Sequence, residues 1–498
     1  MVALATHHLH RFFRQVSESA GEALMLGGSA EVTPLNQWVI VGLHARQTLR
    51  LQGKTLDWID LGNHQRIDLT GHHARQHLFE TLERARQQCQ PWPNEKQALG
   101  LPMAGGLAGV LGYEFYRWCD SGWQQAAPPK TADWPELQLF EFEDWLFIDL
   151  KTAALTVLSK DAQRTATYQH LWQTCLEVST ATAKSSGEPD LNLDATAMAE
   201  YLERFQVSFQ PEGFTQAVEQ LKRDIFNGEV YQANLSLQLQ KELSLDPYAL
   251  FERLCLKNPS PFAGFLKSAH GVLVCNSPER LVQLDTQGRA QTRPIAGTRG
   301  RGQTPAEDEA IGQTLLNNEK EQAEHLMLVD LARNDLGRVC QPGSVQVDEF
   351  LVLERYSHVT HLVSNVTGQL KTQASGWDLL QSLFPGGTIT GCPKIRCVEL
   401  LSQLEPVSRG LYTGSLGYVD AASPALDFNI LIRSVYLKPL PDPSGTGNDL
   451  PMRYNVAVHV GAGIVHDAIG PHEYRECLRK ANAILNELHR LEAQPIPV

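Results

Sequence analysis

The chain has 498 residues, room for about three domains of ~150 residues or for two large ones, and 42% of them are hydrophobic, enough to bury a real core. Forty-three Lys and Arg against 56 Asp and Glu leave a net charge of −13, which argues against a general binder of nucleic acid or anionic membranes but leaves room for a local basic pocket. Thirty-eight Gly and 27 Pro are near average usage, so fibrous and disordered classes are excluded as well.

In chain order, the start MVALATHHLHRFFRQ meets His and Arg before a signal-peptide core could form. No stretch approaches ~18 uninterrupted apolar residues, so no transmembrane helix is expected. The nine cysteines are scattered without a C-x-x-C pair, Cys392 and Cys397 coming nearest. That pattern predicts free thiols in a reducing cytoplasm rather than zinc sites or disulfides. Strand signals at 38–43 (WVIVGL) and 137–150 (LQLFEFEDWLFIDL) alternate with a helical pattern over Ala74–Cys89. The polar stretch Thr180–Asp194 reads as a linker, dividing an N-terminal region, 1–180, from a C-terminal domain, 196–498.

In the C-terminal part, helices are expected at about 213–227, 315–333, 374–383, 394–404 and 471–490. Strands are expected at GVLVC, GSLGY, FNILIRSVYL and YNVAVHVG, with Pro439–Pro451 as a long hairpin loop between Phe428–Leu437 and Tyr454–Val460. Irregular alternation of helices with aromatic and β-branched strands gives an α+β class with much antiparallel pairing.

Three familiar motifs fail on inspection. GGTITGCPK, 386–394, has glycines spaced like a phosphate loop, but Cys392 stands where Lys is required. GAGIVHD, 461–467, lacks the third glycine of a dinucleotide fingerprint and opens no helix, and no Gly-x-Ser-x-Gly elbow occurs.

Four constellations survive. Glu321 and Glu324 share one helix face, with Ala323, Leu326, Met327 and Leu331 expected on another and Gly337 as a helix stop. Glu473 and Glu476 share a face with Lys480, above a stripe of Tyr474, Leu478, Ala481, Leu485 and Leu488. Each pair alone is read as a solvated helix face; brought together, they could hold Mg²⁺, which prefers hard oxygen ligands. PGGTITGCPKIRCVELL runs from a Gly-rich turn into a helix, with Pro393 suited to its first position and Thr388 and Thr390 as hydroxyl donors for an anion. Arg433, inside an apolar strand, either pairs with a structural carboxylate or forks onto a ligand carboxylate.

Read in order, these segments resemble the chorismate-utilising enzymes, which include anthranilate synthase component I, aminodeoxychorismate synthase component I and the isochorismate and salicylate synthases. The matching stretches are GEVYQANLS (228–236), SPER (277–280), RPIAGTRGRG (293–302), NEKEQAEHLMLVDLARNDLGRV (318–339) and ERYSHVTHLVSNVTG (354–368). FPGGTITGCPK (384–394), YTGSLGY (412–418), NILIRS (429–434), GAGIVHD (461–467) and HEYRECLRKA (472–481) continue the match to the end of the C-terminal part. In the N-terminal part it is carried mainly by GGLAGVLGYEFYRW, 105–118.

The resemblance implies a chorismate-binding α+β fold, with antiparallel sheets in facing layers covered by helices. It implies Mg²⁺ on Glu324 and Glu476, with Glu321 and Glu473 beside them. Arg433, Lys480, Tyr412, Thr388 and the backbone at Gly461 and Gly463 would hold the substrate carboxylates. Glu279 matches the general acid for the departing C4 hydroxyl, and His361 an active-site histidine. Relatives that add water carry Lys at the position of Gln232; a Gln amide cannot activate water, so a ready-made nucleophile, ammonia, is implied. Without an amidotransferase motif in the chain, a separate glutamine amidotransferase subunit is expected to supply it. The segments 258–266 and 384–391 resemble aminodeoxychorismate synthase, which makes 4-amino-4-deoxychorismate for 4-aminobenzoate and folate. LMLGGSAE, 24–31, departs from the Leu-Leu-Glu-Ser opening of the inhibitory tryptophan site of anthranilate synthase. Ala296 stands where many aminodeoxychorismate synthases carry a nucleophilic Lys and matches anthranilate synthase, which is the alternative. A catalytically silent homologue would have lost Glu279 or the metal-site glutamates, and this chain keeps them.

Overall fold

A computed structural model describes residues 4–33, 35–120, 130, 134–177, 192–355, 359–441 and 453–493. The proposed linker and the tip of the 439–451 loop fall largely outside these residues. Every strand ladder described is antiparallel.

The two longest N-terminal strands, Trp38–Gln52 and Leu137–Asp149, pair along their whole length except at a bulge between Ala45 and Gln47. A bulge bends a strand and lets it pass from one sheet layer to the next. Period-2 alternation shows the passage. Val39, Val41 and Leu43 join one helix-covered core, whereas Leu49 and Leu51 join a different one. Between the layers lies a third core, in which Ile40, Phe140, Phe147, Leu273, Leu416 and Tyr418 meet. The architecture is therefore helices, sheet, sheet, helices, the facing-layer α+β fold expected from the sequence.

N-terminal and C-terminal strands share these layers. Ala23–Leu26 pairs with Phe262–Ser268, and Gly106–Leu111 with Ser415–Asp420. The strand Gln232–Ser244 pairs with Arg453–Ile464; Ala233, Leu235, Val458 and Val460 point to the helix-covered core. By alternation Gln232, Asn234, His459, Gly461 and Gly463 point inward, where the interlayer space turns polar. No helix among the described residues is long and apolar enough to cross a membrane.

Several local expectations are corrected. The run FNILIRSVYL is two strands, Leu426–Asn429 and Ser434–Pro439, which pair with different neighbours. The chain turns between them at Arg433, whose φ is +51°; an unbroken apolar run hides such a left-handed residue. The helix expected over 315–333 is two, Pro305–Leu316 and Glu319–Val339, because Asn318 caps the second by accepting from the Glu321 N–H. That second helix runs past Gly337, and its buried face is His325, Leu328, Val329, Ala332 and Leu336, leaving Ala323 and Leu326 exposed. Pro393 is the N-cap of the helix Lys394–Leu404 rather than its first residue. The stripe on Gly470–Ala493 matches at Ala481, Leu485 and Leu488, with Tyr474 and Leu478 partly buried against it.

Candidate active site

The turn between strands Gly271–Ser277 and Arg280–Leu284 carries Glu279 into the interior. Ser277 fixes the turn: its hydroxyl donates to the Ile430 carbonyl at 2.6 Å and accepts the Glu279 N–H at 3.2 Å. The carboxyl of Glu279 accepts a 2.8 Å hydrogen bond from Thr388, which stands on the single 3-10 turn Gly387–Ile389. Burial pushes the acid up to about 7, against the opposing pull of that hydrogen bond and of the Arg433 charge.

Arg433 stands across from it. Its side chain is half-buried, and the loss of solvent around the guanidinium pulls its pKa down; it makes no ion pair among the described residues, and Glu279 is the neighbouring negative charge. A guanidinium with no carboxylate partner among the described residues keeps its forked N–H donors available for a ligand carboxylate. His361, on the strand Val359–Gln369, is held neutral with its pKa lowered to about 4, chiefly by burial and next by Arg433, while a hydrogen bond to the Gly297 backbone opposes the shift.

Glu279, His361, Thr388, Tyr412, Arg433, Gly461 and Lys480 line one cavity of about 470 Å³. Lys480, on the helix Gly470–Ala493, donates to the Gly461 carbonyl at 2.9 Å and pairs with Glu476 at 3.0 Å. Gly461 is glycine for lack of room: a Cβ there would lie 2.4 Å from Asn234 Oδ1 and 2.8 Å from the Tyr412 hydroxyl. At Gly463 it would lie 2.7 Å from the Gln232 amide nitrogen. Gln232 and Gly463 are not among the residues that line the cavity.

The four glutamates form a separate group joined to the cavity through Lys480. Glu324 is raised by burial and by the charges of Glu321, Asp467 and Glu473, against the pull of Lys320; Glu473 is raised by burial and by Glu476. The two helices thus bring their carboxylates within electrostatic reach. Arg299 binds Glu321 at 2.9 Å and Lys320 binds Asp467 at 3.0 Å. No three His, Cys, Asp or Glu side chains among the described residues close on one point as a ligand set. Excess carboxylate charge on hard oxygen donors still fits Mg²⁺, which usually takes one or two carboxylates and completes its sphere with water and substrate oxygens.

Sequence reasoning missed Asn234, Asn276, His459 and Arg409. Asn276 lines the cavity with its amide N–H groups held by the Leu254 and Asn258 carbonyls at 3.1 and 2.8 Å. Arg409 is 2% exposed; it binds Glu405 at 2.7 Å and donates to the carbonyls of Ile389 and Asn234, bolting the Thr388 turn to the strand at Asn234. Its only sequence signal is an arginine next to Gly-Leu-Tyr, which reads as surface.

Residues 45–486 match the model of the chorismate binding enzyme family. An anthranilate synthase component I-like protein of Synechocystis is 43% identical over 78% of this chain and 74% of its own length. Aminodeoxychorismate synthase component 1 of Bacillus subtilis is 39% identical over 78% of each chain. The crystal structure of anthranilate synthase component I from Streptococcus pneumoniae is 29% identical, with a TM-score of 0.67 over 91% of this chain and 93% of that one.

Proposed function

Because the chain belongs to the family of chorismate-binding enzymes, we propose that it replaces the C4 hydroxyl of chorismate by ammonia, giving 4-amino-4-deoxychorismate. The observation that carries the chemistry is a buried acid with a pKa of about 7, Glu279, facing a half-buried arginine that has no ion-pair partner among the described residues, across a cavity sized for a small ring. An acid poised near neutral pH can donate its proton to a leaving hydroxyl.

Arg433 forks onto a substrate carboxylate, and Lys480, Tyr412 and the Gly461 backbone orient the ring. His361, neutral, offers a hydrogen bond without adding charge. Ammonia forms the C–N bond while the C4–O bond breaks. Glu279 gives its proton to the departing oxygen, which leaves as water, and the carboxylate is reset by the proton shed from nitrogen. Glu324 and Glu476, with Glu321 and Glu473 beside them, would hold Mg²⁺, which when bound supplies Lewis-acid polarisation and a template for a substrate carboxylate.

Gln232 supports ammonia over water, since a carboxamide is no base. We assign the ammonia to a separate glutamine amidotransferase subunit, and the free state of all nine cysteines fits work in a reducing cytoplasm. For the 4-amino product, the supporting feature is the resemblance of the segments 258–266 and 384–391, with the Gly386–Gly387 pair, to aminodeoxychorismate synthase. The second reading, anthranilate formation, is favoured by Ala296, which leaves no lysine amine beside Ile295 of the cavity wall. The test is turnover of chorismate by the isolated chain with ammonium and Mg²⁺. Glutamine should replace ammonium only when the partner subunit is added.

A further inference from the structure

Asn234 lines the cavity and has no part in the mechanism above. It stands two residues after Gln232 on the strand Gln232–Ser244, so both carboxamides point inward from the same face of the sheet. Gln232 Oε1 and Asn234 Oδ1 are both buried and have no hydrogen-bond partner among the described residues. The backbone around Asn234 is fixed: its N–H donates to Thr390 at 2.9 Å and its carbonyl accepts from Arg409 at 2.5 Å. Gly461, by lacking a side chain, leaves space for Asn234 Oδ1 at the cavity wall.

Two buried acceptors without donors are expensive, so a ligand rich in N–H or O–H groups is called for. Chorismate is a poor candidate, being a dianion with one hydroxyl to donate. Its carboxylates would repel carbonyl oxygens and seek Arg433 and Lys480. Ammonia is the reactant with three N–H donors, and it keeps its lone pair free when those donors are engaged. We infer that Asn234 Oδ1 holds the incoming ammonia at the cavity wall, with Gln232 as the preceding acceptor in the same row, so that Asn234 is a nucleophile-binding residue. This rests on the amination reading above.

The experiment is steady-state turnover of the full chain with chorismate, Mg²⁺ and ammonium, comparing wild type with Asn234→Ala and Asn234→Ser. Loss of one hydrogen bond should raise the KM for ammonium roughly fivefold to tenfold in Asn234→Ala and leave the KM for chorismate unchanged. Asn234→Ser, which keeps a small acceptor, should fall between and carries the test if the alanine variant does not fold. Methylamine, offered as nucleophile, should gain relative to ammonia in Asn234→Ala, where the vacated space admits a methyl group. A raised KM for chorismate with unchanged ammonium dependence would assign Asn234 to the ring substrate and overturn the inference. Unchanged kinetics in both variants would overturn it too. A wild-type chain with no ammonium-dependent turnover would instead refute amination itself.

Discussion

Thr388 donates a 2.8 Å hydrogen bond to Glu279, joining two residues 109 positions apart. The bond fixes the direction of a carboxyl that burial alone would leave neutral and free to rotate. It sets the proton donor against the Gly-rich turn that faces the same cavity.

Glu279→Gln keeps the shape and the Thr388 contact but removes the transferable proton. Chorismate binding should persist while kcat falls about 10²–10⁴-fold, and wild-type kcat should decline as pH rises through about 7. Stability follows the same proton. An unfolded Glu titrates near ~4.3, so between there and about 7 the folded chain binds more protons and loses stability as pH rises. Relief of that loss should make Glu279→Gln more stable than wild type by about 3 kcal/mol at pH 8 and equal to it near pH 4, measured by denaturant melts. Equal stability at pH 8 would contradict the raised acid.

Arg433→Ala should raise the KM for chorismate about 10–100-fold, the worth of a charge-assisted hydrogen bond or two. Thermal stability should change little, because the half-buried guanidinium has no ion pair to lose among the described residues. Arg433→Lys should recover only part of the binding, since an ammonium cannot fork onto a carboxylate. A large drop in melting temperature with unchanged KM would mark Arg433 as structural.

Glu324→Gln removes one of several mutually repelling carboxylates. In chelator the variant should melt no lower than wild type. Mg²⁺ at 100-fold over its Kd should stabilise wild type by about 2.7 kcal/mol and the variant by much less. Equal stabilisation of the two would remove Glu324 from the metal site.

Gly387→Ala drives a methyl group into Leu331 and should cost about 1–3 kcal/mol by overpacking. Adding Leu331→Ala should return part of that loss, a coupling that thermal unfolding of the double mutant would reveal. Additive losses would mean that Leu331 is not what the added methyl strains.

The facing-layer fold and the family were legible because the chemistry sits in short, dense segments: SPER, the Gly-Gly turn and the paired glutamates on helices. What could not be read was set by contacts far apart in the chain. The apolar run 428–437 looks like one strand, and nothing local marks the left-handed turn that swings Arg433 toward Glu279. The buried face of Glu319–Val339 rotated away from the expected stripe because His325 packs inward, bonding Ser364 at 2.6 Å. Asn234 and Arg409 looked like ordinary polar residues until the strand at Gly461 and the turn at Ile389 closed on them.

The central claim is amination at C4, and the product decides it. The purified chain would be incubated with chorismate, Mg²⁺ and ammonium, and the product identified by mass and fluorescence with and without a lyase that completes 4-aminobenzoate. A product with the mass of amino-deoxychorismate that the lyase converts to 4-aminobenzoate is predicted. Direct appearance of anthranilate, before any lyase is added, would contradict it.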